Sequence, residues 1–486
     1  MIMPMGAIIG GGFWSLVYLA IAYQIVRSKK DPDVKFFWLF FFALFLPLAI
    51  ILYLLVGIQY RRPAVRKRIH ARSESIFKRQ ITEELKKQYF SDVHLERVEE
   101  AYRPLARLLR ACGEGNKVYA DNSFEIITSG LRKRELLLED IRRAKKYIHI
   151  EYFRFGNDKA GREVRDLLFQ KVQEGVEVRF VNNNMIGRRI PRSYFREMRK
   201  GGIEVLPFTH IRYGWRLWLM RINCQNHRKN VIIDGKVAYT GGMNLNDNYF
   251  YKWRDTHLRI EGPAIARLQA SFLDTWFSCG GKLSRPLPYY FDIPLSGEPS
   301  SRNGKLMQVV TDAAENPFPS TQLGYEWILQ NAKDYVYIQT PYFIPPVAFL
   351  HALKGAALRG VDVRVMLPRK VDTPLIGPAN RSLYEECLAA GVRIFERSGA
   401  FIHSKTLVAD DGICIIGASN LDMRSFNLNN EVNTFVYDRE TALECKEIFL
   451  TDPSIIQEIH LEDWKVRYKW YQRLFSSFMQ LFFRIL

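Results

Sequence analysis

Charged and apolar residues are distributed unevenly along the chain, and the longest uncharged stretches lie at its start. Residues 1–26 and 36–60 contain no charged side chain. A bilayer core of about 30 Å needs roughly 20 apolar helical residues, so each stretch is long enough to span one. Only residues 27–35 separate them, which predicts a transmembrane hairpin with spans at about 5–26 and 36–58. A cleaved signal peptide and a re-entrant hairpin are the alternatives.

Past residue 115 the pattern changes to short apolar runs that alternate with helical stretches. The runs at 147–152, 176–181, 336–339 and 361–367 have strand length, and the stretches at 162–175 and 348–360 have helical periodicity. Strand, helix and strand at this spacing predict a buried sheet with helices over both faces. The segments 230–239 and 406–416 read as hairpins with turns at Asp234-Gly235 and Asp411-Gly412, so the predicted α/β sheet is mixed.

Composition shifts then divide the chain into segments. The Gly/Pro/Ser-rich stretch 281–304 reads as a linker between two domains, at 116–280 and 305–452. Residues 61–115 form a basic, helix-prone connection to the hairpin, and residues 453–486 form a separate tail. The part of the chain that follows the hairpin is too long for one core and suits two domains of this size.

The net charge of the chain predicts an anionic binding partner. The formal net charge is +19, which is typical of proteins that meet a polyanion. Because the chain carries predicted membrane spans, an anionic phospholipid leaflet is favoured over nucleic acid. Six basic residues and no acid lie in residues 61–72, against four basic residues in the turn 27–35, so the part of the chain after the hairpin is predicted on the cytoplasmic side of the cell membrane. A solvated linker is the alternative interpretation of residues 61–72.

The C-terminal tail carries aromatic residues at helical spacing. The aromatic and apolar residues that recur every three or four positions, beside a separate basic stripe, are Trp464, Tyr468, Tyr471, Phe475, Phe478, Phe482 and Ile485. Such a helix is suited to lie among lipid headgroups. Packing of the same face against the domain is an equally good interpretation.

The six cysteines show no zinc-like spacing and read as reduced thiols, with Cys414 inside a core strand. The sequence has no glycine-rich nucleotide loop and no acidic metal cluster. We therefore predict neither a cofactor nor a metal.

One polar string occurs twice. His227-Arg228-Lys229 is followed by Asp234 and then by Gly241-Gly242-Met243-Asn244. The second copy is His403-Ser404-Lys405, Asp410 and Gly417-Ala418-Ser419-Asn420, with the same internal spacing and an offset of 403 − 227 = 176. Flanking strands repeat in the same order, which indicates an internal duplication.

The repeated residues suit attack on a phosphodiester. Lys229, Lys405, Asn244 and Asn420 can neutralise phosphate oxygens, while one histidine attacks phosphorus and the other transfers protons. Symmetry alone does not say which histidine does which.

Two further carboxylates stand at matching positions. Asp255 follows the first histidine at a separation of 255 − 227 = 28, and Glu431 follows the second at the same separation, 431 − 403 = 28. This repeat predicts that the carboxylates accept the imidazole N–H and orient the histidines. A surface acid near a turn is the alternative.

The paired strings resemble the phospholipase D superfamily. Trp253-Arg254-Asp255 and Asn420-Leu421-Asp422-Met423-Arg424-Ser425 resemble its bacterial cardiolipin synthase branch, and the resemblance covers residues 105 to 486. It implies two tandem phospholipase D-like domains related by a pseudo-twofold axis. The pattern departs at Gly242, where many relatives carry Ser, and at Ala418-Ser419, which inverts the usual order.

The resemblance also implies roles. It suggests His227 as the nucleophile and His403 as the acid/base, with Asp234 and Asp410 in the motif as structural braces. The implied activity is phosphatidyl transfer from one phosphatidylglycerol to another through a phosphohistidine, giving cardiolipin and glycerol. A membrane-bound phospholipase D that uses water, a nucleic-acid phosphodiesterase and a non-catalytic lipid-binding protein are the competing functions. The oligomeric state is left open.

Overall fold

The chain forms two units. The computed structural model describes residues 16, 18–28, 32–45, 48–50, 52–53, 81–90, 94–113, 115–183, 190–208, 224–294, 304–454 and 456–480. One unit comprises residues 1–59 and 213–223, and the other comprises residues 60–212 and 224–486. We call the second unit the body.

The described part of the N-terminal unit is helical at residues 18–26 and at Pro32–Leu44. Ile25, Trp38, Phe42 and Ala49 are buried in one apolar cluster of this unit. The predicted spans, about 5–26 and 36–58, fall partly on residues outside the described set. Within that set, no helix has both the length and the apolar character needed to cross a bilayer.

The body is built on one 15-stranded mixed sheet. Its strands are β1 Val118–Ile127, β2 Tyr147–Tyr152, β3 Glu177–Asn182, β4 Glu204–Pro207, β5 Lys229–Ile233, β6 Val237–Gly241, β7 His257–Glu261, β8 Lys305–Asp312, β9 Tyr335–Gln339, β11 Asp362–Pro368, β12 Arg393–Arg397, β13 Thr406–Ala409, β14 Ile413–Gly417, β16 Glu431–Val436 and β17 Ile456–Ile459. β10 Phe343–Ile344 and β15 Leu421–Asp422 form a separate parallel pair. The predicted α/β class and mixed sheet are confirmed.

The strand order repeats the duplication seen in the sequence. From the centre outward, the first half runs β1-β7-β6-β5-β2-β3-β4 and the second half runs β8-β16-β14-β13-β9-β11-β12, with β17 added antiparallel beyond β12. In each half the last three strands of these series are parallel and the rest pair antiparallel. The halves join where β1 pairs antiparallel with β8, so a single sheet runs through both.

Helices cover the sheet. They are Glu83–Tyr89, Arg103–Cys112, Gly130–Arg143, Lys159–Gln173, Arg192–Lys200, Asp247–Tyr251, Ile265–Ser278, Ser320–Asn331, Val347–Leu358, Ile376–Arg381, Tyr384–Ala389, Met423–Asn427, Arg439–Leu450, Leu461–Arg467 and Trp470–Gln480. Several begin at a side chain that accepts a backbone N–H of the first turn, as Asp158 does for the helix Lys159–Gln173 and Asp438 for Arg439–Leu450. This capping fixes where those helices start.

Alternate residues of one strand face opposite cores, which confirms that both faces of the sheet are covered. Leu407 and Ala409 of β13 belong to a cluster with the helices Ser320–Asn331 and Val347–Leu358. Val408, between them, belongs to a cluster with Ile265–Ser278 and Arg439–Leu450. A third cluster packs Gly130–Arg143 and Lys159–Gln173 on the first half. This arrangement follows from the two-residue period of a strand.

Both predicted hairpins are present. β5 pairs antiparallel with β6, and β13 pairs antiparallel with β14. Their turns begin at Asp234 and Asp410, which have positive φ angles of 55° and 48°. Aspartate is among the residues that adopt this left-handed backbone more readily, and here both side chains are held by backbone N–H groups of a neighbouring segment.

The six cysteines form no disulfide and are all buried, and Cys414 lies within β14 as predicted.

Candidate active site

The two motif histidines meet where the halves adjoin. His227 lies two residues before the start of β5, and its backbone N–H donates to the Asn430 carbonyl at 2.9 Å. His403 shortly precedes β13, and its N–H donates to the Arg254 carbonyl at 2.7 Å. Short parallel bridges join Asn226 to Asn430 and Arg254 to Ile402. Each histidine is therefore held by backbone from the opposite half.

The orienting carboxylates are present, but they cross between the halves. His227 Nδ1 lies 3.0 Å from the Glu431 carboxylate, and His403 Nδ1 lies 2.8 Å from Asp255 Oδ2. All four side chains are buried. A carboxylate at Nδ1 selects the tautomer that leaves Nε2 unprotonated, as a nucleophile or base requires. Counting residues could find these partners, but only the fold pairs each with the histidine of the other copy.

The two motif lysines lie next to the motif histidines. Lys229 and Lys405 are buried, and each Nζ donates to the backbone carbonyl of the histidine two residues earlier. The strand period of two puts both side chains of each His-x-Lys on one face. The fold therefore brings the two histidines, two lysines and two carboxylates together, as the sequence predicts.

Burial sets the charge state of this cluster. It holds the pKa of both histidines well below the usual value, and the adjacent Lys229 and Lys405 ammonium groups add to the effect. The imidazoles are thus neutral near pH 7. Burial also lowers the pKa of Lys405 to about 8 and that of Lys229 well below its usual value.

The carboxylates shift in the opposite direction, again through burial. The pKa of Asp255 rises to about 6 and that of Glu431 to about 7, although neighbouring lysines oppose the rise. Asp255, Glu431 and Lys405 thus titrate within about one unit of pH 7. An anion entering the cluster would favour charged lysines, which is the response a phosphodiester site needs.

The histidines border a cavity of about 150 Å³. Residues from both halves line it: Phe153, Arg154, Gln225, His227, Tyr249, Tyr342, Asp372, His403, Asn420, Asp422, Arg424 and Asn429. Arg154 and Arg424 add positive charge to the wall. The Tyr249 hydroxyl lies 3.4 Å from both ring nitrogens of His403.

The two motif asparagines are placed differently. Asn420 lines the cavity, and its Nδ2 donates to Asp422 at 3.1 Å. Asn244 is buried behind the wall, where its Oδ1 accepts the Arg154 backbone N–H at 3.0 Å. Asn244 therefore supports the loop that carries Arg154.

The motif aspartates lie at the far end of the hairpin strands from the histidines. Asp234 accepts the backbone N–H groups of Lys145, Lys146 and Tyr147 at 2.7–2.8 Å. Asp410 makes the equivalent three contacts with residues 333–335 at 2.8–2.9 Å. Each aspartate ties its hairpin turn to the start of the neighbouring strand, β2 or β9, so the geometry supports a bracing role.

Gly242 has a local reason to lack a side chain. A Cβ at this position would lie 2.1 Å from Asp255 Oδ1. The Asp255 carboxylate, which pairs with His403, thus occupies the space that the Cβ of a serine at position 242 would need. In the second half Ala418 fills the equivalent position, and the Ser419 hydroxyl accepts from Asn433 at 2.7 Å.

Sequence reasoning missed several cavity residues. Arg154 and Tyr342 are equivalent in the duplication, at 342 − 154 = 188, and each follows a central strand, β2 or β9. Their position just past strand ends was the available signal. Asp372 and Tyr249 come from loops and short helices whose placement no spacing predicts. Within the described ranges, no group of three or more His, Cys, Asp or Glu residues could hold a metal ion.

Comparison with known proteins supplies a family. Residues 137–276 and 326–452 match the model described as cardiolipin synthase, PLD-like domain. The major cardiolipin synthase of Bacillus subtilis is 34% identical over 96% of this chain and 97% of its own length. A cardiolipin synthase of Staphylococcus aureus is 34% identical over 94% of this chain and 92% of its own. A phosphatidylserine synthase structure from Haemophilus influenzae shares the fold, with a TM-score of 0.55 and 16% identity over 74% of this chain and 93% of its own.

Proposed function

The chain belongs to the cardiolipin synthase family with phospholipase D-like domains, and we propose that it joins two phosphatidylglycerol molecules into cardiolipin. It is a phosphatidyltransferase in this proposal, and it releases one glycerol per cardiolipin formed. The relatives named above match nearly its whole length and carry this activity in their names. The buried, doubled His–Lys–carboxylate cluster is the observation that carries the proposal.

The cluster contains the parts that the reaction needs. One neutral imidazole attacks phosphorus, while the imidazole across the cavity protonates the leaving glycerol oxygen. Lys229, Lys405 and Arg154 balance the charge on the phosphate oxygens in a site shielded from water. The crossed carboxylates stabilise each imidazole when it becomes cationic. By resemblance, His227 is the nucleophile and His403 the acid/base.

The second half of the reaction reverses the first. A hydroxyl of the second phosphatidylglycerol gives its proton to the acid/base histidine and attacks phosphorus. The N–P bond breaks, an O–P bond forms, and the free histidine is regenerated. Each step uses groups already in the cluster.

The C-terminal helix supports a lipid substrate. In the helix Trp470–Gln480, Ser476 and Met479 are buried, and Met479 packs with Ile376 of the body. The opposite face exposes Trp470, Tyr471, Leu474, Phe475 and Phe478. The predicted stripe is divided between the helices Leu461–Arg467, where Trp464 is buried, and Trp470–Gln480, whose exposed aromatic face we propose for the headgroup contact. No acid occurs after Asp463, whereas five basic residues do, so the exposed face suits an anionic bilayer surface.

This helix also adjoins the cavity wall. Tyr342 and Val371 pack on the cluster that holds Met479, and Tyr342 lines the cavity. We propose that the exposed face rests on the leaflet and brings the cavity to its lipid. The apolar runs at about 5–26 and 36–58 are proposed as membrane anchors, with the body on the cytoplasmic side.

The test is a matched set of histidine variants in phosphatidylglycerol liposomes. His227→Ala and His403→Ala should each abolish cardiolipin formation while flotation with liposomes stays unchanged. His351→Ala is the control, since that histidine is exposed and lies outside the cavity. Phosphatidate as the sole lipid product of the unaltered protein would make it a hydrolase. Activity that survives either motif variant would contradict the proposed mechanism.

A further inference from the structure

The two histidines of the site have unlike neighbours at equivalent positions. Gln225 lies two residues before His227, and Phe401 lies two residues before His403. Asn429 and Trp253 each lie two residues before a crossed carboxylate. The backbone pairs them alike, because Asn430 N donates to the Gln225 carbonyl at 2.8 Å and Arg254 N donates to the Phe401 carbonyl at 2.9 Å. At these equivalent positions one histidine therefore has two amides and the other has two aromatic rings, while the Phe153 ring lies 4.5 Å from the His227 ring.

The aromatic side is closed by ring contacts. The Trp253 and Phe401 centroids are 4.9 Å apart, and they lie 5.6 Å and 5.9 Å from the His403 ring. These two rings supply no hydrogen-bond acceptor beside His403, and neither borders the cavity. The amide side differs, because Gln225, Asn429, Asn420 and Asp422 all border the cavity.

Two acceptors on the amide side have no donor. Asn420 and Asn429 are 5% and 8% exposed, and the Oδ1 atom of each makes no hydrogen bond within the described part of the chain. The Asp422 carboxylate lies beside them and accepts from Ser425 N at 2.7 Å. Buried acceptors without donors are costly, and such groups mark places where a ligand supplies the missing hydrogens.

The ligand must donate hydrogen bonds. A phosphodiester has no proton to give, and its charge would be repelled by Asp422, so the phosphate belongs with the lysines and Arg154. A small polyol fits the acceptors, since each hydroxyl can donate to one oxygen and accept from an amide. In the proposed reaction the only such group is a glycerol headgroup.

We propose that Gln225, Asn420, Asp422 and Asn429 form a diol subsite that binds the glycerol headgroup of the acceptor phosphatidylglycerol. This inference rests on the proposed function. It assigns a substrate class to residues outside the repeated His-x-Lys motif, and it gives Asn420 a hydroxyl ligand where the motif suggests a phosphate.

The subsite selects transfer over hydrolysis. One hydroxyl of the bound headgroup stays hydrogen-bonded to the amide oxygens, while the primary hydroxyl of the same headgroup reaches the phosphatidyl-histidine. That hydroxyl loses its proton to the other histidine, its oxygen bonds to phosphorus, and the N–P bond breaks. Water can undergo the same step but has no second hydroxyl to hold it in the subsite. The diol therefore gains a positional advantage that water lacks.

The test compares products from Gln225→Leu and Gln225→Met with those from Asn331→Leu, whose amide is exposed and lies outside the cavity. Asn429 is left intact because its Nδ2 donates to the Glu431 carboxylate at 3.5 Å. Liposomes of phosphatidylglycerol are the substrate, and cardiolipin and phosphatidate are resolved. Either subsite variant should lower cardiolipin formation at least tenfold while phosphatidate formation is unchanged or higher. The control variant should keep the product ratio of the unaltered protein.

A second arm adds labelled free glycerol and follows its exchange into phosphatidylglycerol. We expect exchange and cardiolipin formation to fall together. Loss of exchange alone would mean that the subsite holds only the released glycerol, which overturns the acceptor assignment. A parallel fall of cardiolipin and phosphatidate would mean that the amides are structural. If the unaltered protein makes no cardiolipin, the proposed function fails. Exchange of labelled glycerol into phosphatidylglycerol would still show whether the subsite binds glycerol.

Discussion

Replacing Glu431 with glutamine isolates the charge of one crossed carboxylate. The substitution keeps the shape and a hydrogen-bonding group 3.0 Å from His227 Nδ1 but removes the negative charge that would stabilise a cationic imidazole. Both side chains are buried, so solvent screens the interaction little. A hydrogen bond to a charged group contributes about 1.5–3 kcal/mol. At about 1.36 kcal/mol per factor of ten, kcat/KM should fall roughly 10- to 150-fold.

The pH dependence sharpens this prediction. Because the pKa of Glu431 is raised to about 7, its carboxylate is protonated below that pH and ionised above it. The protonated acid resembles glutamine, so the unaltered protein should approach Glu431→Gln in activity as the pH falls from 8 to 6. The activity ratio should shrink about five- to tenfold across that range, since roughly nine tenths of the carboxylate is ionised at pH 8 and one tenth at pH 6. The Glu431 charge also raises the pKa of Lys405, which is about 8 in the unaltered protein, so Glu431→Gln should lose the lysine charge at a lower pH.

The assay is kcat/KM for cardiolipin formation in mixed micelles at pH 6, 7 and 8, because this parameter reports the free enzyme. Glu458→Gln is the control, since that carboxylate pairs with Arg393 at the partly exposed edge of the sheet. A loss smaller than threefold at pH 8, or a ratio that does not change with pH, would refute the assigned role of Glu431.

Three further outcomes follow from the fold and the tail. Asp234→Ala should lower the free energy of unfolding by about 3 kcal/mol, because three backbone N–H groups lose their acceptor. Asp410→Ala should lower it less, since the contacts of Asp410 are more exposed. Equal Tm shifts of the two variants in thermal melts would contradict this difference. Gly242→Ala should lower kcat at least tenfold, because the new Cβ would displace the Asp255 carboxylate that pairs with His403. Gly355→Ala, where the space around the Cβ is open, should leave kcat unchanged. Equal kcat values of the two variants would contradict the steric argument. Phe478→Ser should lower turnover on anionic liposomes several-fold and leave turnover on a monomeric short-chain lipid unchanged, and equal losses on both substrates would argue against a membrane contact.

The repeated sequence predicted more of the site than of its surroundings. Two strings at one offset identified His227, Lys229, His403 and Lys405, because strand alternation alone places each pair on one face. The same count found Asp255 and Glu431. It did not predict that they cross, since crossing depends on the bridges between residues 226 and 430 and between 254 and 402.

Other features depend on contacts between distant residues. Tyr342 and Asp372 reach the cavity because they follow β9 and β11, parallel neighbours whose carboxyl ends lie at one edge of the sheet. The sequence showed the position of Tyr342 past a strand end but not the length of the loop that carries Asp372. The need for glycine at position 242 appears only once Asp255 is in place. The asymmetry between the amide pair and the aromatic pair was visible in the sequence at an offset of 176, but its meaning required the crossed pairing.

The most direct test of the central claim is a mass balance on phosphatidylglycerol labelled with ³H in the headgroup glycerol and ³²P in the phosphate. The purified full-length protein is reconstituted in liposomes of this lipid, and all products are quantified. The account predicts one free glycerol per cardiolipin formed, with both phosphates retained in that cardiolipin. Glycerol released in equal amount with phosphatidate, and no cardiolipin, would contradict phosphatidyl transfer and leave a hydrolase.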